Sequence, residues 1–174
     1  NFSASVTSSI VNAIIAAYQR CVIILIVCDG YNTNSAIANL NPAIPVLNSP
    51  VNNGYFNIMH NKFMVMDAFA PDASKPVVLT GSTNWTDAQL NVDANHLVFI
   101  QDQSLAKVFT MEFEEMWGSS GPQPNGTAAR FGPDKTDNTP HQLNIGGYEV
   151  KCYFSPSDDV NNQIMHAINT ADSE

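Results

Sequence analysis

The sequence predicts an α/β fold in which a mixed β-sheet is flanked by helices on both faces. Residues 22–28 form a continuous apolar run that follows a helical pattern, which is typical of a strand covered on both faces. Two further apolar runs, residues 59–67 and 76–80, are separated by a short turn rich in Pro, Asp and Ser, which indicates an antiparallel hairpin. At 174 residues the chain is long enough for one domain with a sizeable core.

In chain order, the first half is predicted to hold a helix over residues 5–20, a strand over 22–28 and a short helix over 34–40. A short strand over 42–47 and the two hairpin strands over 59–67 and 76–80 follow. The first helix has Ser5, Thr7 and Ser8 as candidate N-caps. Its wide apolar face consists of Ile10, Val11, Ile14, Ile15, Ala17 and Tyr18. A loop containing residues 52–54 precedes the first hairpin strand.

The second half is predicted to hold a polar connection over residues 87–93, a strand over 96–101 and a helix over 105–117. A long loop or linker over 119–147, a strand over 149–154 and a final helix over 155–171 follow. The stripe of the middle helix is rich in aromatic residues and indicates core packing. In the final helix, Ser155 is the predicted cap and Pro156 occupies the first turn. Its predicted buried stripe is Val160, Ile164, Ala167, Ile168 and Ala171.

Two polar side chains interrupt the apolar run 59–67 and are the strongest functional signal in the chain. His60 and Lys62 are two residues apart, so on a strand both side chains project from the same face. A neutral imidazole beside an ammonium suits attack on a phosphate ester, because the lysine neutralises charge on the phosphoryl oxygens. Asp67 has the opposite parity and is expected to hold the turn that follows the strand.

The second hairpin strand ends in uncharged hydrogen-bonding residues. Gly81 allows a sharp turn, and Ser82 and Asn84 offer a hydroxyl and an amide at alternate positions. Such donors can bind an oxyanion without perturbing a neighbouring histidine. The alternative is that they only cap the turn.

His60, Lys62 and Asp67, followed by Gly81, Ser82 and Asn84, resemble the His-x-Lys-x4-Asp and Gly-Ser-x-Asn signature of the phospholipase D superfamily. Further likeness lies in residues 19–29, where Cys21 stands at a usual glycine position, in the strand 95–100 and in the helix ending at residues 114–117. The resemblance covers residues 1–118 and again residues 148–174.

This resemblance implies a phospholipase D-like fold and a two-step phosphodiester transfer without metal or cofactor. One motif histidine forms a phosphohistidine, and a second protonates the leaving alcohol and later activates water. Which histidine has which role stays open. The motif supplies His60, Lys62, Asn84 and Asp67 as catalytic candidates and Gly81 and Ser82 as phosphate-binding candidates. No His, Cys or carboxylate set has metal-ligand spacing on one element, so no metal site is predicted.

One position departs from the family pattern. The family often has a glutamate before the asparagine of its closing strand, where it orients the catalytic histidine, and here that position is Ala94. Asp93 lies one residue earlier and would face the other way on a strand. We expect either that Asp93 reaches the site from a bulge or that another group orients His60.

The order of the elements predicts three segments. Residues 1–118 resemble a catalytic repeat that lacks its first strand and helix, residues 119–147 a linker or loop, and residues 148–174 the opening strand and helix of a repeat. A fragment of a longer two-repeat enzyme explains this order, with a second motif expected beyond Glu174. That is the simplest explanation; a permuted single domain, or exchange of the last segment between two copies, is the alternative.

Composition bears on the substrate. The net charge is −9, with 13% charged residues, which is unlike a duplex-binding surface. We therefore expect a phospholipid or small phosphodiester substrate; a metal-independent endonuclease and an inactive structural or dimerisation fragment are the alternatives. No apolar run reaches the ~18–20 residues of a transmembrane helix. The abundance of Asn, Ser and Thr weakly favours an exported bacterial-type protein, and the compartment is otherwise unknown.

Overall fold

The computed structural model describes residues 8–31, 35–51 and 58–172, and its α/β class is the one that the sequence predicts. The helices are α1 Ser8–Gln19, α2 Ser35–Ala38, α3 Asp87–Asn91, α4 Gln103–Trp117 and α5 Val160–Asn169. The strands are β1 Ile26–Cys28, β2 Val46–Asn48, β3 Phe63–Met66, β4 Val77–Gly81, β5 Leu97–Ile100, β6 Gln142–Ile145 and β7 Tyr148–Lys151. The predicted caps Ser5 and Thr7, Asn34 and the loop 52–54 lie outside the described residues.

Parallel and antiparallel pairs both occur. β1 and β2 are parallel, β3, β4 and β5 form an antiparallel sheet in that order, and β6 and β7 form a hairpin. The predicted hairpin between the two motif strands is therefore confirmed. Phe63 pairs with Thr80, and Gly81 pairs with Leu97. This register brings the start of β3, the end of β4 and the start of β5 to one edge of the sheet, where the motif residues lie.

Helix α1 packs its predicted apolar face on β1 and α2. Val11, Ile26 and Cys28 are buried in this cluster, and Ile14 packs against it. The chain leaves the helix through Cys21, whose φ of 64° lies in the left-handed region. Glycine adopts that region at least cost, which gives a physical reason for the glycine usual at this position.

Helix α4 is the central packing element behind the sheet of β3, β4 and β5. This sheet carries the motif residues and is called the motif sheet below. It begins where Asp102 accepts a hydrogen bond from the Leu105 N–H and ends at Gly118, which has a φ of 76°. Its buried apolar residues are Leu105, Ala106, Val108, Phe109, Met116 and Trp117. Burial of each large side chain contributes about 1.5–3 kcal/mol. The prediction that this aromatic-rich stripe is core is confirmed.

The clearest differences from the predicted elements in the first 100 residues lie at three places. Strand β1 covers only the end of the predicted run, and Val22 and Ile23 are exposed. Strand β3 begins at Phe63, because the register with β4 starts there. The predicted polar connection 87–93 contains helix α3, which Thr86 caps by accepting from the Gln89 N–H.

The segment 119–147, predicted as a linker or a long surface loop, is exposed over most of its length but is anchored at a few positions. It contains a 3₁₀ turn, Gly132–Asp134, and strand β6. Phe131 and Lys135 are buried. The segment lacks apolar periodicity because single side chains, not a face, anchor it. The division into three domain segments itself stays a prediction.

The C-terminal helix also differs from its prediction. Ser155 does not cap it; α5 follows Asp159, which has a φ of 50°, and Ser157 and Asp158 are used in the preceding turn. The predicted buried stripe is wrong: Val160 is half-buried, and Ile164, Ala167, Ile168 and Ala171 are exposed. The pattern identified the apolar face of α5, but no described residue buries it.

Within the described ranges, none of the helices combines the length and the apolar character that crossing a bilayer requires.

Candidate active site

His60 and Lys62 lie just before β3, at the edge of the motif sheet. The prediction that both are on a hydrogen-bonded strand is wrong, since the ladder starts at Phe63. They are nevertheless close together: Lys62 Nζ donates to the His60 carbonyl oxygen at 3.0 Å. The Lys62 carbonyl accepts from Thr80 Oγ1 at 3.1 Å, which ties the lysine to β4. His60 is exposed and Lys62 is half-buried.

The electrostatics of this pair favour a neutral imidazole. Partial burial and the neighbouring Lys62 ammonium lower the pKa of His60 below its usual 6.5, and the Asp29 carboxylate opposes them. Burial also lowers the pKa of Lys62. A histidine that is neutral at pH 7 has a free nitrogen lone pair, which a nucleophile or general base requires.

Lys62→Met is expected to raise the pKa of His60, because the substitution removes a positive charge that disfavours the imidazolium. The acid limb of any His60-dependent rate then moves to higher pH. The measurement is an NMR titration of the imidazole, with Lys107→Met as a control on an exposed lysine of α4. An unchanged or lowered His60 midpoint in Lys62→Met would contradict the assignment of Lys62 as its electrostatic neighbour.

Gly81 and Ser82 form a tight corner against the start of β5. A Cβ on Gly81 would lie 2.2 Å from the His96 carbonyl oxygen, so only glycine fits. Ser82 Oγ donates to Asn95 Oδ1 at 3.0 Å and accepts from the His96 N–H at 3.1 Å. These bonds give Ser82 a turn-holding role in this structure.

Asn84 follows the corner and is held by Gln89. The Asn84 backbone N–H and Nδ2 donate to Gln89 Oε1 at 2.7 and 2.8 Å. Asn84 Oδ1 is buried and receives no hydrogen bond from the described residues. In the part of the chain that the structure describes, no hydrogen bond joins Asn84 to His60 or Lys62. What the three residues share is their position at the same edge of the motif sheet.

Asp67 lies at the other end of β3, away from His60. It is exposed, has a φ of 54°, and its carbonyl accepts from the Ala70 N–H at 2.8 Å. Asp tolerates this left-handed conformation better than most residues. This placement corresponds to the turn role rather than to a contact with the reacting groups.

The family's missing glutamate is not replaced by its sequence neighbour. Asp93 is exposed, and its N–H donates to the Ala88 carbonyl at 2.9 Å as α3 ends. No bulge turns Asp93 toward His60 in the described strands. Asp93 therefore does not orient His60 in this structure.

A cavity of about 570 Å³ opens beside His60. Its lining is mostly apolar and aromatic and comes from four parts of the chain: Ile58, Met59, His60, Asn61, Met116, Phe131, Gly132, Pro133, Lys135, Tyr153, Phe154, Ser155 and Pro156. Lys62 and Asn84 are not in this lining. The cavity thus extends from His60 toward the segment 119–147.

Sequence reasoning missed a buried ion pair behind this cavity. Lys135 Nζ and Glu112 Oε1 are 2.5 Å apart, and both side chains are at most 3% exposed. Asn61 Nδ2 donates to the same Glu112 oxygen at 3.0 Å. A glutamate on the buried stripe of α4, three residues after Phe109, was the signal that could have identified the pair. No sequence feature pointed to Lys135.

Three ligand-type side chains, Asp137, His141 and Asp158, lie together elsewhere. His141 Nε2 is 2.9 Å from Asp137, whereas Nδ1 is 3.0 Å from the Cys152 carbonyl and 3.9 Å from Asp158. The carboxylates thus face different ring nitrogens, and Asp158 already accepts from the Phe154 N–H. We assign hydrogen bonds here and no metal.

The fold and site define an α/β protein that presents a histidine-lysine pair at a sheet edge, beside a Gly-Ser-Thr-Asn corner. The family described as cardiolipin synthase, PLD-like domain matches residues 2–117, which is more than half of the chain. The chain belongs to the phospholipase D superfamily. The predicted superfamily and fold class are confirmed.

Among its relatives are two mitochondrial cardiolipin hydrolases. That of Drosophila melanogaster is 32% identical over 117 residues, which cover 58% of this chain and 45% of the relative. That of Canis lupus familiaris is 31% identical over 97 residues, which cover 55% and 34%. The chain thus spans less than half the length of both.

A solved structure is also similar: the phospholipase D family member Nuc from Salmonella typhimurium. It superposes with a TM-score of 0.54 at 26% identity, over 68% of this chain and 75% of Nuc.

Proposed function

We propose that this chain carries one half of the active site of a phospholipase D-type phosphodiesterase, with His60 as the group that attacks phosphorus. The observation that carries the proposal is the contact of Lys62 Nζ with the His60 carbonyl, together with a lowered imidazole pKa. A neutral nucleophile and an adjacent cation are what a phosphodiester anion requires.

In the proposed first step, a His60 ring nitrogen forms a bond to phosphorus and the P–O bond to the leaving alcohol breaks. The bonding electrons remain on the alcohol oxygen, which takes a proton from a second motif histidine. In the second step, water activated by that same histidine attacks phosphorus and the N–P bond breaks, so His60 is regenerated. Lys62 stabilises the charge on the phosphoryl oxygens in both steps.

We propose a phospholipid as the substrate. The cavity beside His60 has an apolar and aromatic lining that suits the apolar part of such an ester. The net charge of −9 disfavours tracking along a nucleic acid backbone. The relatives named cardiolipin hydrolases support the same choice.

The second histidine, lysine and asparagine set is proposed to come from further polypeptide or from a second copy of the chain. Three large apolar side chains of α5, Ile164, Met165 and Ile168, are more than half exposed. An apolar face of this kind suits contact with such a partner. Sedimentation of the chain with and without an Ile168→Lys change distinguishes a second copy from further polypeptide.

The proposal is tested with an activated diester, bis(p-nitrophenyl) phosphate. Its p-nitrophenolate leaves without needing a proton, so His60 can form the adduct even where the second histidine is absent. We expect release of one equivalent of p-nitrophenolate in a burst and a nitrophenyl-phosphoryl adduct on His60, identified by mass spectrometry at alkaline pH. A protein that gives neither signal would overturn the proposed role of His60.

The substrate class gives a separate prediction. Where a second copy of the chain supplies the second motif, we expect, in the presence of a chelator, headgroup or phosphatidic acid release from vesicles of phosphatidylcholine and cardiolipin, and no nicking of plasmid DNA at the same protein concentration. Plasmid nicking without lipid turnover would replace the phospholipid proposal by the endonuclease alternative. An adduct with the activated diester but no turnover of either natural substrate would identify a half-site that lacks its second motif.

A further inference from the structure

The segment that carries His60 is not held by a strand ladder. Because β3 begins at Phe63, its position depends on the residues on either side of the histidine. The Met59 N–H donates to Asp29 Oδ1 at 3.0 Å, and Asn61 Nδ2 donates to Glu112 Oε1 at 3.0 Å. Two buried carboxylates, from the end of β1 and from α4, thus grip the residues before and after His60.

The Glu112 carboxylate is costly to keep in its place. Burial raises its pKa, and the ammonium of Lys135 opposes that effect. Lys135 is itself buried and also donates to the Ser155 carbonyl at 3.2 Å. A buried ion pair is often no more stabilising than apolar residues of the same volume, so its presence calls for a role beyond stability.

The position of the pair indicates that role. Asn61 and Lys135 line the same cavity as His60, and Asn61 is the covalent neighbour of the histidine. The Glu112 oxygen that Asn61 binds is the one that Lys135 binds. The network therefore connects α4 and the segment 119–147 to the residue next to His60. The family's usual orienting glutamate is absent from this chain, where Ala94 takes its position.

We propose that Glu112 is a positioning residue for His60, which acts through the Asn61 side chain with Lys135 as its counter-ion. The proposal rests on the proposed function, because a role in positioning presupposes that His60 reacts. Among the hydrogen bonds of the described residues, Glu112 has none to the His60 imidazole; through Asn61 it holds the main chain from which His60 extends.

The test compares Asn61→Ala with Glu115→Ala. Asn61→Ala removes the hydrogen bond that connects the ion pair to the His60 segment. Glu115 is the matched control: its carboxylate accepts from Thr136 N and Oγ1 at 2.8 and 2.7 Å. It thus fastens the residue next to Lys135 to the same helix without contacting Asn61.

In Asn61→Ala, we expect the rate of adduct formation with bis(p-nitrophenyl) phosphate to fall about 10- to 100-fold, as small misplacements of a reacting group do. The His60 imidazole resonances are expected to broaden and its NMR titration midpoint to shift, since its geometry relative to Lys62 and Asp29 changes. Both quantities are expected to stay at wild-type values in Glu115→Ala. Unfolding midpoints of both variants are measured alongside.

Wild-type adduct rate and imidazole spectra in Asn61→Ala would overturn the proposal. Equal losses in Asn61→Ala and Glu115→Ala would overturn it too, because they would assign the effect to docking of the linker. If the wild-type protein forms no adduct at all, the proposed function fails, whereas the imidazole spectra still decide whether Asn61 positions His60.

Discussion

His60→Gln is expected to reduce adduct formation with bis(p-nitrophenyl) phosphate on the order of 10⁴- to 10⁶-fold, the scale seen when a covalent nucleophile is removed. Glutamine keeps a polar side chain of similar size but has no basic nitrogen to attack phosphorus. Because His60 is exposed at the edge of the motif sheet, the fold is expected to survive the change. The measurement is burst kinetics with mass spectrometry of the trapped protein.

The matched control is His166→Gln. His166 is an exposed histidine of α5, outside the cavity lining, so its removal is expected to leave the burst unchanged. With four histidines in the chain, this pair of variants separates a specific nucleophile from general reactivity of imidazoles. A full burst in His60→Gln would place the nucleophile on another residue and remove the basis of the proposed mechanism.

Local patterns predicted the parts of the fold that depend on neighbouring residues. The turn between the motif strands contains Pro71 and Asp72, and it joins an antiparallel pair as expected. The spacing of apolar residues in α4 gave its buried face. The motif also led to His60 and Lys62 as a pair, although their closeness comes from a hydrogen bond to a main-chain oxygen and not from a strand.

Other features could not be predicted because they depend on partners distant in sequence. Periodicity shows which face of α5 is apolar, but not whether another element covers it, and Ile168 is 67% exposed. Strand β3 begins only at Phe63, where its pairing with Thr80 of β4 starts, and the apolar run by itself does not show where that pairing starts. Lys135 lies in a Gly-Pro-Asp-Lys turn, which is a sequence typical of the protein surface. Its partner Glu112 is 23 residues away in sequence and is close to it only in the folded chain.

Lys135→Met is expected to lower the free energy of unfolding by about 3–5 kcal/mol at pH 7, because it leaves the buried Glu112 carboxylate without its counter-ion. The difference in the free energy of unfolding between the wild type and Lys135→Met is expected to become smaller as the pH falls. Without Lys135, the folded-state pKa of Glu112 rises further above its unfolded value; protonation then favours the folded state, and this contribution disappears as the pH rises through the folded pKa. Urea unfolding at several pH values measures both effects, and a loss independent of pH would contradict the assignment.

The double variant Glu112→Leu with Lys135→Met separates stability from positioning. Replacing a whole buried ion pair by apolar residues is often neutral or stabilising, so the double variant is expected to recover most of the lost free energy of unfolding. The leucine that replaces Glu112 offers Asn61 no acceptor, so adduct formation on His60 is expected to stay slow. A double variant that is stable and also fast would mean that the pair only fills the core. One that is stable and slow would mean that a buried carboxylate, costly to the fold, is kept for the histidine that it holds in place.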